Sequence, residues 1–285
     1  MSRIGTRVPL GRIVTFAAML GFFAPMAATE SPQVEETWEK NSHQWFESVD
    51  PEGRVLVSNP YGDVYARFGG YENQVEILAT IQRLEQELPE LTVRREQSEA
   101  GLELIVEPAP AAPGSAAGDP APVPAAQRRD RVDLVVFVPL GVGLEISTEE
   151  DKIDAKGLKS DLLARSLTGD IRIRSVQGHV GAKSDRGDLS VVLENGVTGS
   201  EQEFSTVTGD IEVYLWEDAN AQVALATSGE ISTDFSIEIE HRRFEEPGKH
   251  AVAKIGKEGP RLSLSSKRGR IRLLRLPRQF KSDSP

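Results

Sequence analysis

The 285-residue chain has no cysteine. That excludes a disulfide scaffold, thiol chemistry and attachment through a lipidated cysteine, so stability in an oxidising compartment must rest on packing. Aromatic residues are scarce at 6%, which suits a fold built from small and β-branched side chains. The four histidines (His43, His179, His241 and His250) are scattered, and no HExxH or paired metal spacing occurs. Phosphate-binding loops, dinucleotide fingerprints and a Gly-x-Ser-x-Gly elbow are also absent from the sequence. Negative charge prevails, at a formal −11, which makes the chain a poor nucleic-acid binder because phosphate contacts need clustered Lys and Arg.

The one hydrophobic run, Ile13 to Phe23, is short for a transmembrane span. Arg3, Arg7 and Arg12 flank it, and Ala24, Ala27 and Ala28 follow. This is the layout of a secretory signal peptide over residues 1–28, with an uncleaved anchor as the alternative. Cleavage removes three arginines and no acid, which takes the formal charge to −14 and leaves no transmembrane span. The sequence thus predicts export to the periplasm or cell surface.

Residues 29–49 are acidic, carry Trp38, Trp45 and Phe46, and read as a lead-in segment that caps the first part of a repetitive core. The core spans 50–281, and 282–285 are a tail. Strands are expected at Val75–Ile81, Leu102–Val106 and Val132–Leu140, and Gln82–Leu91 has helical propensity interrupted by Pro89. The Pro/Ala-rich tract, taken with its flanks as 107–131, cannot build a core and reads as a disordered loop inside one domain. A boundary between two domains is the competing reading.

From Leu144 the chain repeats. Ser166-Leu-Thr-Gly169-Asp170-Ile171 recurs around Gly187-Asp188, Gly209-Asp210, Gly229-Glu230 and Gly269-Arg270. The glycine intervals are 18, 22, 20 and 40, the last twice the period, so a rung has decayed or an insertion intervenes there. A further decayed copy falls at Thr148–Ile153. A period near 20 with strand–turn–strand content predicts an all-β, single-domain β-solenoid or β-roll of either hand.

Aligned on the glycine, positions +2 and +4 (Ile171 and Ile173, Leu189 and Val191, Ile211 and Val213) alternate with Arg172, Ser190 and Glu212, which puts the first set inside. Position −3 holds Ser166, Ser184, Thr206, Ala226 and Ser266; position −5 holds Ala164, Ala182, Phe204, Ala224 and Leu264. These mostly small residues predict a narrow core edge.

In order and spacing, Val57-Ser-Asn-Pro-Tyr-Gly62-Asp63-Val64, Val75-Glu-Ile-Leu-Ala, Gly101-Leu-Glu-Leu, Val132–Pro139 and the Ser-x-x-Gly-Asp rungs resemble the bacterial putative-adhesin β-helix family, a domain of unknown function. The resemblance covers roughly residues 50–275. It implies a repetitive all-β fold and an extracytoplasmic or membrane-associated setting, and it brings no catalytic residues.

Asp170, Asp188, Asp210 and Glu230 form a column if rungs stack in register, with Lys152 and Arg270 at its ends. Carboxylates at a strand spacing of about 4.8 Å repel by about 1 kcal/mol in water, which a calcium ion would relieve. The simpler reading is turn chemistry, in which glycine supplies a positive φ and the acid caps local amides; no metal or cofactor is then needed. Arg186-Gly187-Asp188 matches an integrin-type tripeptide but lies inside the repeat. Asp185, Arg186, Asp188, His179 and Lys183 could serve polysaccharide cleavage only if they converge. From Arg261 to Lys281 there are eight basic residues and no acid. Arg268, Arg270, Arg272 and Arg275 there are candidate contacts for an envelope protein, a polysaccharide or an anionic membrane surface, or else charges that defend a terminal strand or pair with the acidic body. The reading is a non-enzymatic exported binding or scaffolding module. A carbohydrate-active enzyme on a β-helix and a calcium-stabilised spacer are the alternatives.

Overall fold

A computed structural model of the chain describes residues 38–84, 88–110, 124–194, 196–197, 199 and 201–276. The signal segment 1–28, the middle of the Pro/Ala tract, Arg278, Lys281 and the tail lie outside the described residues. In chain order the strands are β1 (Glu39–Ser48), β2 (Arg54–Asn59), β3 (Val64–Phe68), β4 (Gln74–Arg83), β5 (Leu91–Ser98), β6 (Gly101–Pro108) and β7 (Arg131–Val138). Then follow β8 (Gly143–Thr148), β9 (Ile153–Lys156), β10 (Leu162–Ser166), β11 (Ile171–Arg174), β12 (Val180–Ser184), β13 (Leu189–Leu193), β14 (Glu201–Thr206) and β15 (Ile211–Leu215). The chain closes with β16 (Ala221–Thr227), β17 (Ile231–Thr233), β18 (Glu238–His241), β19 (Lys249–Ile255), β20 (Arg261–Ser266) and β21 (Ile271–Arg275).

Each repeat is one rung. A strand in one sheet reaches the Ser-x-x-Gly-Asp corner, and the next strand runs in the other sheet. The result is the repetitive all-β fold expected from the period. Among the described residues one sheet has ten strands in the order β1-β4-β7-β3-β9-β11-β13-β15-β21-β17; the other has eleven, β18-β19-β16-β20-β14-β12-β10-β8-β2-β6-β5. Neighbouring rungs pair in parallel and in register: Ile153, Ile171, Leu189, Ile211 and Ile271 face one another across successive strands. All five are buried. Stacked branched side chains fill the space between the sheets, while the alternate residues face outward.

The order of rungs in space departs from chain order at both ends. The rung β20–β21 lies between β14–β15 and β16–β17, and the β18–β19 excursion fills the 40-residue interval. At the other end β2–β3 lies between β6–β7 and β8–β9. This gives each terminal rung an antiparallel cover: β4 on β7, β5 on β6, and β19 on β16. A solenoid end exposes unpaired backbone groups, and antiparallel strands with polar faces close it. The lead-in forms β1, antiparallel to β4, and its Glu39, Lys40, Asn41 and Ser42 are exposed.

Three local expectations need correction. Helical propensity at Gln82–Leu91 is overridden, because Gln82 and Arg83 extend β4 and Leu91 starts β5. Pairing with β7 supplies backbone partners through Gln82 that a broken helix could not. The Pro/Ala tract is ordered at its edges: Glu107 and Pro108 complete β6, and the side chains of Arg128 and Asp130 form a buried 2.9 Å ion pair on its return. The third concerns β16, whose Thr227 and Leu225 pair with Ser266 and Leu264. Thr227 and Leu225, not Ala226 and Ala224, therefore face inward, because this corner is one residue shorter.

The narrow edge is real at Ala164 and Ala182, which are paired in register and buried, with Phe204 next in the file. Ala182→Leu is expected to destabilise by about 1–3 kcal/mol through overpacking, measured as a lower urea midpoint; a neutral result would mean the Phe204 ring leaves more room than this file implies.

Candidate functional site

The corners carry three parallel columns. In the first, each motif glycine lies against the carbonyl of a neighbouring rung. A Cβ at Gly187 would stand 2.0 Å from the Gly169 oxygen, one at Gly209 2.1 Å from that of Gly187, and one at Gly269 1.9 Å from that of Gly209. None of the motif glycines has positive φ, so the turn-conformation account of the glycine is incorrect. Backbone proximity, not a left-handed turn, demands the missing side chain.

The second column is of hydroxyls. Ser184 Oγ accepts from Gly187 N (2.8 Å) and donates to Gly169 O (3.3 Å). Thr206, Ser266 and Thr227 repeat the pattern on their own corner and the adjoining rung. Asn59 plays the same part in its rung, with Nδ2 donating to Gly62 O (2.9 Å) and Val132 O (2.8 Å). Each side chain staples one rung to the next and satisfies buried backbone groups.

The third column is of carboxylates. Asp170 Oδ1 accepts from Asp188 N (2.9 Å), Asp188 Oδ1 from Asp210 N (2.8 Å), and Asp210 Oδ1 from Arg270 N (2.7 Å). The acids thus cap amides of the next rung and not their own turn. Asp63 joins the column by accepting from Lys152 N (3.0 Å), and Asp133 by accepting from Asp63 N (3.1 Å). The rung exchange moves Arg270 from the end of the column to a place between Asp210 (3.9 Å) and Glu230 (3.6 Å). Lys152 likewise lies between Asp63 and Asp170 and terminates nothing. Among the described residues no cluster of three or more His, Asp or Glu has metal-holding geometry. Where Asp63, Asp133 and Asp151 gather around Arg131, burial pushes the Asp151 carboxyl above its usual range, with Arg131 opposing and the two aspartates reinforcing.

Arg186-Gly187-Asp188 is absorbed by these columns. Gly187 stacks on Gly169 and Asp188 holds the next rung. His179 and Lys183 line a shallow depression of about 260 Å³ on the outer face of the eleven-stranded sheet, with Arg165 and Glu203. Asp185 and Asp188 do not line it.

The C-terminal arginines are exposed to different degrees, and all are paired. Arg268 meets Glu246 (3.1 Å), Arg272 meets Glu212, and Arg275 meets Glu217 (2.9 Å). A second set of cations was not legible as a group. Asp154 is only 5% exposed although it points outward from β9. It is ringed by Arg67 (2.9 Å), Lys152 (3.5 Å) and Arg174 (3.7 Å). The outward positions +3 and +5, tabulated across neighbouring rungs, are the signal that would have found it.

Residues 143–273, from β8 into β21, match the model of the Toastrack DUF4097 family. The resemblance read from the sequence is borne out over that span, just under half of the chain. No curated protein matches. Among solved structures, one described as a putative cell adhesion protein from Clostridium sporogenes is 14% identical with a TM-score of 0.43, covering 83% of this chain and 100% of its own. Another, described as a putative adhesin from Bacteroides fragilis, is 11% identical with a TM-score of 0.37, covering 83% of this chain and 97% of its own.

Proposed function

We propose that the chain is exported and acts as a non-catalytic binding module at the cell envelope or cell surface. The observation that carries this reading is how the corner chemistry is used. The hydroxyls and aspartates with the chemistry of nucleophiles, bases or metal ligands are engaged in joining rungs, and they run in a line instead of converging on a point. A general acid–base pair or a nucleophile–base pair needs convergence. The outward faces of two long, regular sheets remain for recognition. A flat, repetitive surface suits a long ligand or an extended partner, as in other solenoids. The arginines Arg268, Arg270, Arg272 and Arg275 are one contact surface, on which a partner's acids compete with Glu246, Glu230, Glu212 and Glu217.

Cell fractionation tests the reading. The chain should be recovered in the envelope with its N-terminus processed near residue 28, and high salt should release it. Glutamine at the four arginines should weaken that association in a salt-dependent way. An unprocessed chain found in the cytoplasm would overturn the proposal.

A further inference from the structure

The outer face of the ten-stranded sheet carries a pattern that works against stability. On β3, β9 and β11 the six outward positions hold Tyr65, Arg67, Asp154, Lys156, Arg172 and Arg174. With Lys152 just before β9, five cations share one carboxylate, on a chain of net charge −11. Arg67 and Arg174 both lie directly opposite Lys156 in the strand register. Like charges facing one another across strands are destabilising. Asp154 offsets Arg67, Lys152 and Arg174 and lies opposite Arg172 in register, but Lys156 and Arg172 form no ion pair among the described residues. At the C-terminal end, by contrast, Arg272 faces Glu212 and Arg270 lies between two acids. At that end each arginine has its own acid, whereas here three cations share Asp154 and Lys156 faces two arginines. Such a departure from the local rule is the mark of a functional surface.

In register from β7 to β15 the file reads Phe137, Arg67, Lys156, Arg174, Val192, Tyr214, with Glu76 beyond Phe137 on β4 and Leu274 beyond Tyr214 on β21. At about 4.8 Å per strand this is a strip of about 24 Å along the solenoid axis. A central run of three cations is bounded by an aromatic ring on one side and by a valine and a tyrosine on the other. We infer that this strip binds a linear acidic polysaccharide laid along the axis, with its carboxylates on Lys156, Arg174 and Arg67 and sugar faces against Phe137 and Tyr214. The geometry favours a glycan over a membrane because the cations form a single file with aromatic rings in line with it; a lipid surface is contacted by a broad patch. Arg guanidinium matches carboxylate as a two-point donor. The inference rests on the proposal that the chain is a binding module, and it names the ligand class and the face.

The purified full chain is applied to immobilised polygalacturonate, with neutral dextran and phosphatidylglycerol vesicles as the other arms. Retention on polygalacturonate at low salt, lost as salt rises, is expected. Lys156→Gln/Arg174→Gln should weaken it about tenfold, Lys156→Arg should preserve it, and Lys254→Gln/Lys257→Gln, at exposed positions on and just after β19 in the other sheet, should leave it within about twofold of the unmodified chain. The double variant should melt close to the unmodified chain, since the loss of the facing Lys156–Arg174 repulsion offsets the loss of the half-exposed Arg174–Asp154 contact. That measurement separates lost binding from lost folding. Equal retention of the double variant, equal retention on dextran, or binding to vesicles but not to polygalacturonate would each overturn the inference. Envelope association by fractionation with no glycan retention would sink this ligand while leaving the broader reading standing.

Discussion

Gly187→Ala is expected to lower stability by about 4 kcal/mol, a large effect for a single added methyl group. The new Cβ would lie 2.0 Å from the Gly169 carbonyl oxygen and 2.9 Å from Ser184 Oγ. Both obstacles are fixed, one being backbone and the other a buried hydroxyl. Relief requires two adjacent rungs to separate by more than 1 Å, since a normal carbon contact is about 3.5 Å. Separation breaks the bonds that cross this step: Ser184 to Gly169 O and Asp188 N to Asp170. Each contributes about 1 kcal/mol, and the buried carbonyl then loses its partner. Gly157→Ala is the control. Gly157 has φ +74° with no atom within 4 Å of a built Cβ, so only the left-handed backbone penalty of about 1–2 kcal/mol applies. Urea unfolding followed by far-UV circular dichroism, with slopes compared as well as midpoints, measures both. If Gly187→Ala is no worse than Gly157→Ala, backbone stacking is not what the corner glycine serves.

This contrast also shows what the sequence could and could not convey. The corner motif announces itself because glycine, a hydroxyl and an acid recur at fixed offsets, and the alternation after Gly169, Gly187 and Gly209 identifies the buried face. The reason for the glycine is invisible, because a turn with positive φ and a close backbone approach select the same residue. The spatial order of the rungs is hidden too. Any parallel strand with Ile at +2 and a hydroxyl before the corner fits beside any other, so Ser266–Ile271 carries no sign that it enters between Thr206–Ile211 and Thr227–Ile231. Only the acids and bases hint at it, since Arg270 and Arg272 become paired once Asp210, Glu230 and Glu212 flank them. The misplacement of Ala226 has the same origin: an alignment anchored on glycine cannot detect a corner one residue shorter. The ring around Asp154 draws Arg67 from 87 positions away, across a rung order that the linear sequence does not record.

Asp154→Asn is expected to destabilise the chain by about 2 kcal/mol at low salt, although it makes the outer strip more positive, not less. The side chain is 7% exposed and holds Arg67, Lys152 and Arg174, which are themselves 29%, 30% and 47% exposed. Removing one partner of a fully buried ion pair costs about 3–5 kcal/mol, and solvent around the three cations scales that down. What remains after substitution is mutual repulsion among four positive groups on neighbouring strands, with Lys156 facing two of them. Two consequences separate this account from simple loss of a hydrogen-bonding side chain. Added salt should narrow the gap between variant and unmodified chain, because screening acts on repulsion between exposed charges. Polygalacturonate should raise the melting temperature of the variant more than that of the unmodified chain, because a bound carboxylate replaces the one removed and stabilises in proportion to ligand occupancy. Thermal melts across a salt series, with and without the glycan, test both. A variant as stable as the unmodified chain at low salt would show that Asp154 does not hold the file together. A salt-independent loss would assign its role to packing and hydrogen bonding on β9, and the cations would then be arranged by the register of β3, β9 and β11 alone.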